Sequence, residues 1–150
     1  MKLPDLYPSA PFGTLLGLAP GNIAVYSSDY DNIDDSEYPD RHAFLNYIDG
    51  YFLGYKWQCV EFARRWLYLN KGYVFDDIAM AYDIFQLRHV RRLADNQMLP
   101  YLAFANGCKR PPEVGSLLIW DEGGIFERTG HVAVVTKVTD TQIYFVEQNV

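Results

Sequence analysis

Cys59 stands in the run Trp57-Gln58-Cys59-Val60-Glu61-Phe62-Ala63-Arg64-Arg65, where a loop ending in glutamine gives way to an amphipathic segment. A cysteine that opens a helix has unpaired amide N–H groups and the positive end of the helix dipole beside its sulfur. Both favour thiolate, the form that attacks carbonyl carbon. Such a nucleophile needs a base, and the base needs an orienting group. Of the three histidines, His42 reads as a polar-loop surface residue and His89 as a helix histidine flanked by arginines. His131 differs: it opens the β-branched run His131-Val132-Ala133-Val134-Val135-Thr136-Lys137-Val138 directly after Thr129-Gly130, at the mouth of a loop.

The third member depends on strand register. If Val138-Thr139-Asp140 form a three-residue hairpin loop, Val135 faces Ile143, Ala133 faces Phe145 and His131 faces Glu147. Opposite residues on one face have Cβ atoms about 4.5–5.5 Å apart, within reach of a carboxylate–imidazole hydrogen bond. An even-length loop turns Glu147 to the other face, and both loop lengths are open. Gln58 suits a donor to a tetrahedral oxyanion, together with the Cys59 N–H, or a loop glutamine bonded to backbone.

These side chains need a helix and a sheet to hold them. A helix is expected from Gln58 to Asn70, with Phe62, Trp66 and Leu69 on one face and a stop at Asn70-Lys71-Gly72. A second helix is expected from Asp77 to about Asn96, capped by Asp76, with Arg88, Arg91 and Arg92 complementing its C-terminal dipole. Strands are expected at Ile23–Tyr26, Ser116–Trp120, His131–Val138 and Gln142–Glu147. The rest of residues 1–56, punctuated by Pro4, Pro8, Pro11, Gly13, Gly17, Pro20 and Gly21, reads as loop. Helices followed by an antiparallel sheet make an α+β domain.

With 150 residues and an apolar share of 49%, the chain reads as one globular domain over residues 1–150. A net charge of −6 argues against nucleic acid, whose phosphates need clustered Lys and Arg. No apolar run approaches membrane-spanning length. The opening Met1-Lys2-Leu3-Pro4-Asp5 lacks a signal-like apolar stretch, so the expected location is the cytoplasm. In that compartment Cys59 and Cys108 are expected to stay unpaired. The acidic stretch Asp29–Asp40 is either a solvated loop or a rim that attracts amines. Nothing in the pattern calls for a metal or a cofactor.

The motif around Cys59 resembles the nucleophile motif of the CHAP amidases, a papain-like family of cysteine- and histidine-dependent amidohydrolases. Pro112–Trp120 resembles the strand before the family's histidine, Thr129–Val135 its histidine motif, and Glu147-Gln148-Asn149 its third catalytic block. Pro11–Gly17, Val25–Tyr30 and Glu147–Val150 are similar to the branch of the family that cleaves a glutathione–spermidine conjugate. The resemblance implies Cys59 as nucleophile, His131 as base and then acid, Glu147 as orienter and Gln58 as oxyanion donor. Arg64, Gln148 and Asn149 become candidates for contact with a peptide–polyamine substrate, Arg64 being equally readable as salt-bridged or solvated. It also implies sheet structure beyond Val150, so the chain reads as a C-terminally truncated domain or as a fold closing with fewer strands. Peptidoglycan cleavage, and ligand binding without turnover, stay open beside the amidase reading.

Overall fold

The computed structural model describes residues 10–149; the loop reading of Pro4 and Pro8, the Met1–Asp5 segment and Val150 lie outside the described residues. In chain order the strands are β1 (Leu15–Ala19), β2 (Ile23–Tyr26), β3 (Leu45–Ile48) and β4 (Tyr51–Tyr55), followed by helix α1 (Cys59–Lys71). Then come β5 (Tyr73–Val74), β6 (His89–Arg92), β7 (Met98–Pro100), β8 (Leu117–Trp120), β9 (His131–Val138) and β10 (Ile143–Val146). Three 3-10 turns, Arg41–Phe44, Ala81–Gln86 and Gly124–Phe126, punctuate the loops. The strands form two hairpins, β1-β2 and β3-β4, and two three-stranded antiparallel sheets, β5-β6-β7 and β10-β9-β8. This is an α+β arrangement of small sheets around one helix. No helix among the described residues is long and apolar enough to cross a membrane.

Helix α1 follows its expected span, and the Gly72 N–H closes it on the Leu67 carbonyl at 3.0 Å. Phe62, Ala63, Trp66 and Leu67 are buried against Val132 and Val134 of β9 and against Ala19, Ile23, Phe75, Ile84 and Val90. Leu69 does not join Phe62 and Trp66 in that core, and is 50% exposed where the helix emerges. Burial reaches unusually far around the first two turns, taking in Glu61, Arg64 and Arg65.

Residues 77–96 do not form the expected second helix. Only Ala81–Gln86 coils, as 3-10 turns, and His89–Arg92 is the middle strand of a sheet. The physical reason lies in the next turn. Arg92 N–H donates to the Gln97 carbonyl at 2.8 Å, Asn96 takes a left-handed φ of 61°, and the Arg92 guanidinium grips Asp95 at 2.6 and 3.0 Å. Arg91 adds a 2.8 Å bond to the Asn96 side chain. Arg91 and Arg92 therefore brace a hairpin turn, where a polar Asp-Asn pair competes well with helix, while Arg88 donates to the Phe85 and Leu87 carbonyls.

The N-terminal region holds more strand than expected. Asp49 and Gly50 both adopt positive φ, 50° and 76°, and join β3 to β4 as a two-residue hairpin turn. The loop between β9 and β10 runs from 139 to 142, with Val138 opposite Ile143. Its length is even, the case expected to turn Glu147 away from His131. A bulge reverses that outcome: Lys137 faces Tyr144 but Val135 faces Phe145, so Thr136 is an extra residue on β9. Parity is restored, and Glu147 leaves β10 on the His131 face as a diagonal neighbour.

Candidate active site

Cys59 heads α1, with Gln58 in extended backbone as the N-cap and no side-chain cap. The free first-turn amides expected from sequence are therefore present. The Val132, Val60 and Cys59 N–H groups all point at the sulfur, which therefore lies against the start of β9. The expected net preference for thiolate is not found, however. Burial pushes the thiol above its ordinary range, outweighing the three amides, and the charge of Glu147 acts in the same direction as burial.

His131 Nε2 lies 2.8 Å from Glu147 Oε2. A carboxylate only accepts, so Nε2 carries the donated proton and Nδ1 is left for other work. The histidine side chain is 2% exposed and that of Glu147 is 31% exposed, so the pair has one dry partner and one at the edge of solvent. An open cleft of about 550 Å³ begins at Glu147 and is walled by Tyr26, Ser28, Tyr30 and Asn149. A second depression of about 250 Å³ lies beside Gln58 and Val60, with Tyr55, Asp77 and Ile78 around it. The exposed Gln58 side chain lines this depression and meets the Tyr30 phenol rather than backbone.

His131 and Glu147 are thus in contact, with the Cys59 thiol against the Val132 amide and Gln58 directly before it on the chain. The remaining candidates separate. Asn149 lines the larger cleft, where its Oδ1 accepts from the Ser28 hydroxyl at 2.7 Å. Gln148 is 2% exposed and fully engaged: Nε2 donates to the Gln58 carbonyl and Glu61 Oε2, and Oε1 accepts from Tyr26 N–H and Arg65. Arg64 is also 2% exposed, with its guanidinium on the Phe75 and Phe52 carbonyls and 3.8 Å from Asp77. Both side chains have the surroundings of scaffold.

Two contributors carry no sequence signal of their own. Glu61 is completely buried; it receives Arg65 at 2.6 Å, Asn46 at 2.9 Å and Gln148 at 3.0 Å. Arg65 reaches on to the Ala24 carbonyl at 2.6 Å. This network ties α1, β2, β3 and the residue after Glu147 into one unit. Tyr30 donates its hydroxyl to the Lys56 carbonyl at 2.6 Å. Burial raises its phenol, and the neighbouring Gln58 side chain opposes that shift by hydrogen bonding. Glu61 sits inside the Cys59 motif, where burial is not visible, and Tyr30 is one of twelve tyrosines.

The sequence profile of the CHAP domain matches residues 50–149. The chain belongs to the CHAP domain family. The chain is 55% identical over 141 residues to the bifunctional glutathionylspermidine synthetase/amidase of Escherichia coli (strain K12), an alignment covering 94% of this chain and 23% of that protein. It is 37% identical over 139 residues to the trypanothione synthetase of Crithidia fasciculata, covering 93% of this chain and 20% of the relative. The glutathionylspermidine synthase of the same organism is 26% identical over 157 residues, again over 93% of the chain and 21% of the relative. The chain therefore spans about a quarter or less of the length of these relatives.

One solution test follows from the CHAP site's electrostatics. Burial favours neutral thiol, so the thiolate of Cys59 forms above the ordinary cysteine range; a proton partner at His131 is expected to oppose this. In a Cys108→Ser background, iodoacetamide is expected to alkylate Cys59 at lower pH in the otherwise unaltered chain than in His131→Ala. The midpoint for His131→Ala should lie above about 8.5. Coincident profiles would show that His131 does not influence the thiol.

Proposed function

We propose that residues 1–150 are a catalytic amidase domain with a papain-like cysteine–histidine–glutamate site, and that its substrate is a glutathione–polyamine amide such as glutathionylspermidine. The observation that carries the reading is the 2.8 Å His131–Glu147 bond, with a thiol at the head of α1 taking the amide of Val132, the residue after that histidine. The names of the relatives, which include a glutathionylspermidine amidase, support the substrate class.

The chemistry is acyl transfer. Cys59 loses its proton to His131 Nδ1, and its sulfur attacks the glycyl carbonyl carbon, forming the C–S bond. The oxygen becomes an oxyanion held by the Cys59 N–H and the Gln58 amide. As the C–N bond breaks, His131 gives its proton to the departing amine, leaving a glutathionyl thioester. His131 then takes a proton from water, whose oxygen attacks the thioester carbon, and the C–S bond breaks to return the thiolate. Glu147 holds the imidazole in the tautomer that leaves Nδ1 free and stabilises the imidazolium between these steps. No metal or redox cofactor enters this scheme.

The test is to incubate the folded chain with glutathionylspermidine and follow free spermidine by amine derivatisation. Stoichiometric release of spermidine and glutathione is expected. Absence of release from a chain with a cooperative unfolding transition would overturn the substrate assignment.

A further inference from the structure

His131 has a partner that the catalytic scheme leaves unused. The Phe126 ring lies flat on the imidazole, with centroids 4.6 Å apart and planes 7° from parallel. Trp120 approaches the same imidazole at 5.6 Å, tilted by 44°, and contacts Phe126 at 5.9 Å. Phe126 comes from the loop between β8 and β9, which is exposed from Asp121 to Thr129 except at Phe126 itself.

The loop is built to present that one ring. Phe126 N–H donates to the Gly123 carbonyl at 2.9 Å, and the Phe126 carbonyl accepts from Gly130 N–H at 3.0 Å. The loop is thus cinched at Phe126 from both sides. Gly130 then returns the chain at a φ of 64°, where a Cβ would fall 2.4 Å from the Trp120 carbonyl oxygen. Only glycine passes this point, and the next residue is His131. The backbone that closes the loop also fixes the ring over the imidazole.

We propose that Phe126 is a positioning residue for the Cys59–His131 couple: its ring sets the plane of the imidazole and presents a π face to the imidazolium formed during turnover. An aromatic face attracts a cation through its quadrupole, and more strongly where water is excluded. His131 is 1% exposed, so the site is dry on that side. The inference rests on the reading of His131 as the thiol's proton partner. The other titratable groups around the couple are Glu147 beyond β10, Tyr82 of the 3-10 segment packed against Gly130, and the loop's own charges from Asp121 to Arg128, which are exposed.

The test is the pH profile of Cys59 alkylation by iodoacetamide in the Cys108→Ser chain, with turnover measured in parallel. Phe126→Leu keeps an apolar side chain but removes the π face. It is expected to move the alkylation midpoint up by about 0.5–1 pH unit and to lower kcat about 3- to 10-fold with little change in KM. Replacing Phe126 by pentafluorophenylalanine keeps the ring's shape, inverts its quadrupole and is expected to shift the profile in the same direction. This second variant decides the matter if Phe126→Leu fails to fold. Profiles for both that overlay the unaltered chain, while His131→Ala shifts, would overturn the role of Phe126 and leave the amidase reading standing. A His131→Ala profile that itself overlays the unaltered chain would instead remove the premise.

Discussion

Replacing His131 by alanine is expected to lower kcat for amide hydrolysis by roughly 10⁴-fold or more, with a much smaller change in KM. The size follows from two separate demands on one imidazole. It must take the thiol proton, which burial of Cys59 makes harder to remove. It must then protonate a leaving amine that departs poorly as its anion. With His131 gone, neither demand has a replacement, because the remaining Glu147 charge itself disfavours the Cys59 thiolate. Glu147→Gln should be far milder, since the amide oxygen can still accept from Nε2. Steady-state kinetics on both variants, with circular dichroism to verify folding, gives the comparison. Equal losses in the two would mean that the carboxylate has a role beyond orientation.

The second large effect is on stability. Glu61→Ala is expected to cost about 3–5 kcal/mol of unfolding free energy, read as a drop in the urea midpoint at unchanged slope. Glu61 is fully buried, and its removal strands the Arg65 guanidinium, itself 5% exposed, without its main counter-charge. Asn46 and Gln148 each lose an acceptor as well. Breaking a buried pair by deleting one partner leaves an uncompensated charge, which is why the loss exceeds that of a surface pair. Gln148 also holds the Gln58 carbonyl, so residual folded protein should turn over more slowly. A loss below about 1 kcal/mol would place this network among ordinary surface interactions.

The elements that carry the candidate site were legible because they begin at local patterns. A helix start after Gln58 and a strand start after Gly130 are both short-range signals, and α1 and β9 formed where those signals lie. The partnership of His131 with Glu147 was legible only as a conditional, and its stated condition was not the route taken. The loop is even, and a bulge at Thr136 restores the face that the loop would have lost. Bulges depend on sheet twist and packing, which no short window records.

The failed second helix has a similar origin. Ile78, Ala81, Tyr82 and Phe85 do repeat at helical spacing, but the chain coils only from Ala81 to Gln86, as 3-10 turns. Beyond Gln86 the chain turns at Asp95-Asn96, where Arg91 and Arg92 bond the turn residues and β6 pairs with β7. Glu61 is silent in the sequence for another reason. An acidic residue in the first turn of a helix ordinarily faces water, and only the fold shows Arg65, Asn46 and Gln148 closing around it. Arg64 and Gln148 show the converse: the motif marks them, and burial gives them structural partners.

The central claim is that the sulfur of Cys59 becomes acylated, and mass spectrometry of the acid-quenched protein tests it most directly. The chain is mixed with glutathionylspermidine, quenched within the first turnovers and digested. A glutathionyl thioester on the Cys59 peptide, absent in Cys59→Ala and removed by hydroxylamine, is the predicted result. Spermidine release that persists in Cys59→Ala would contradict it.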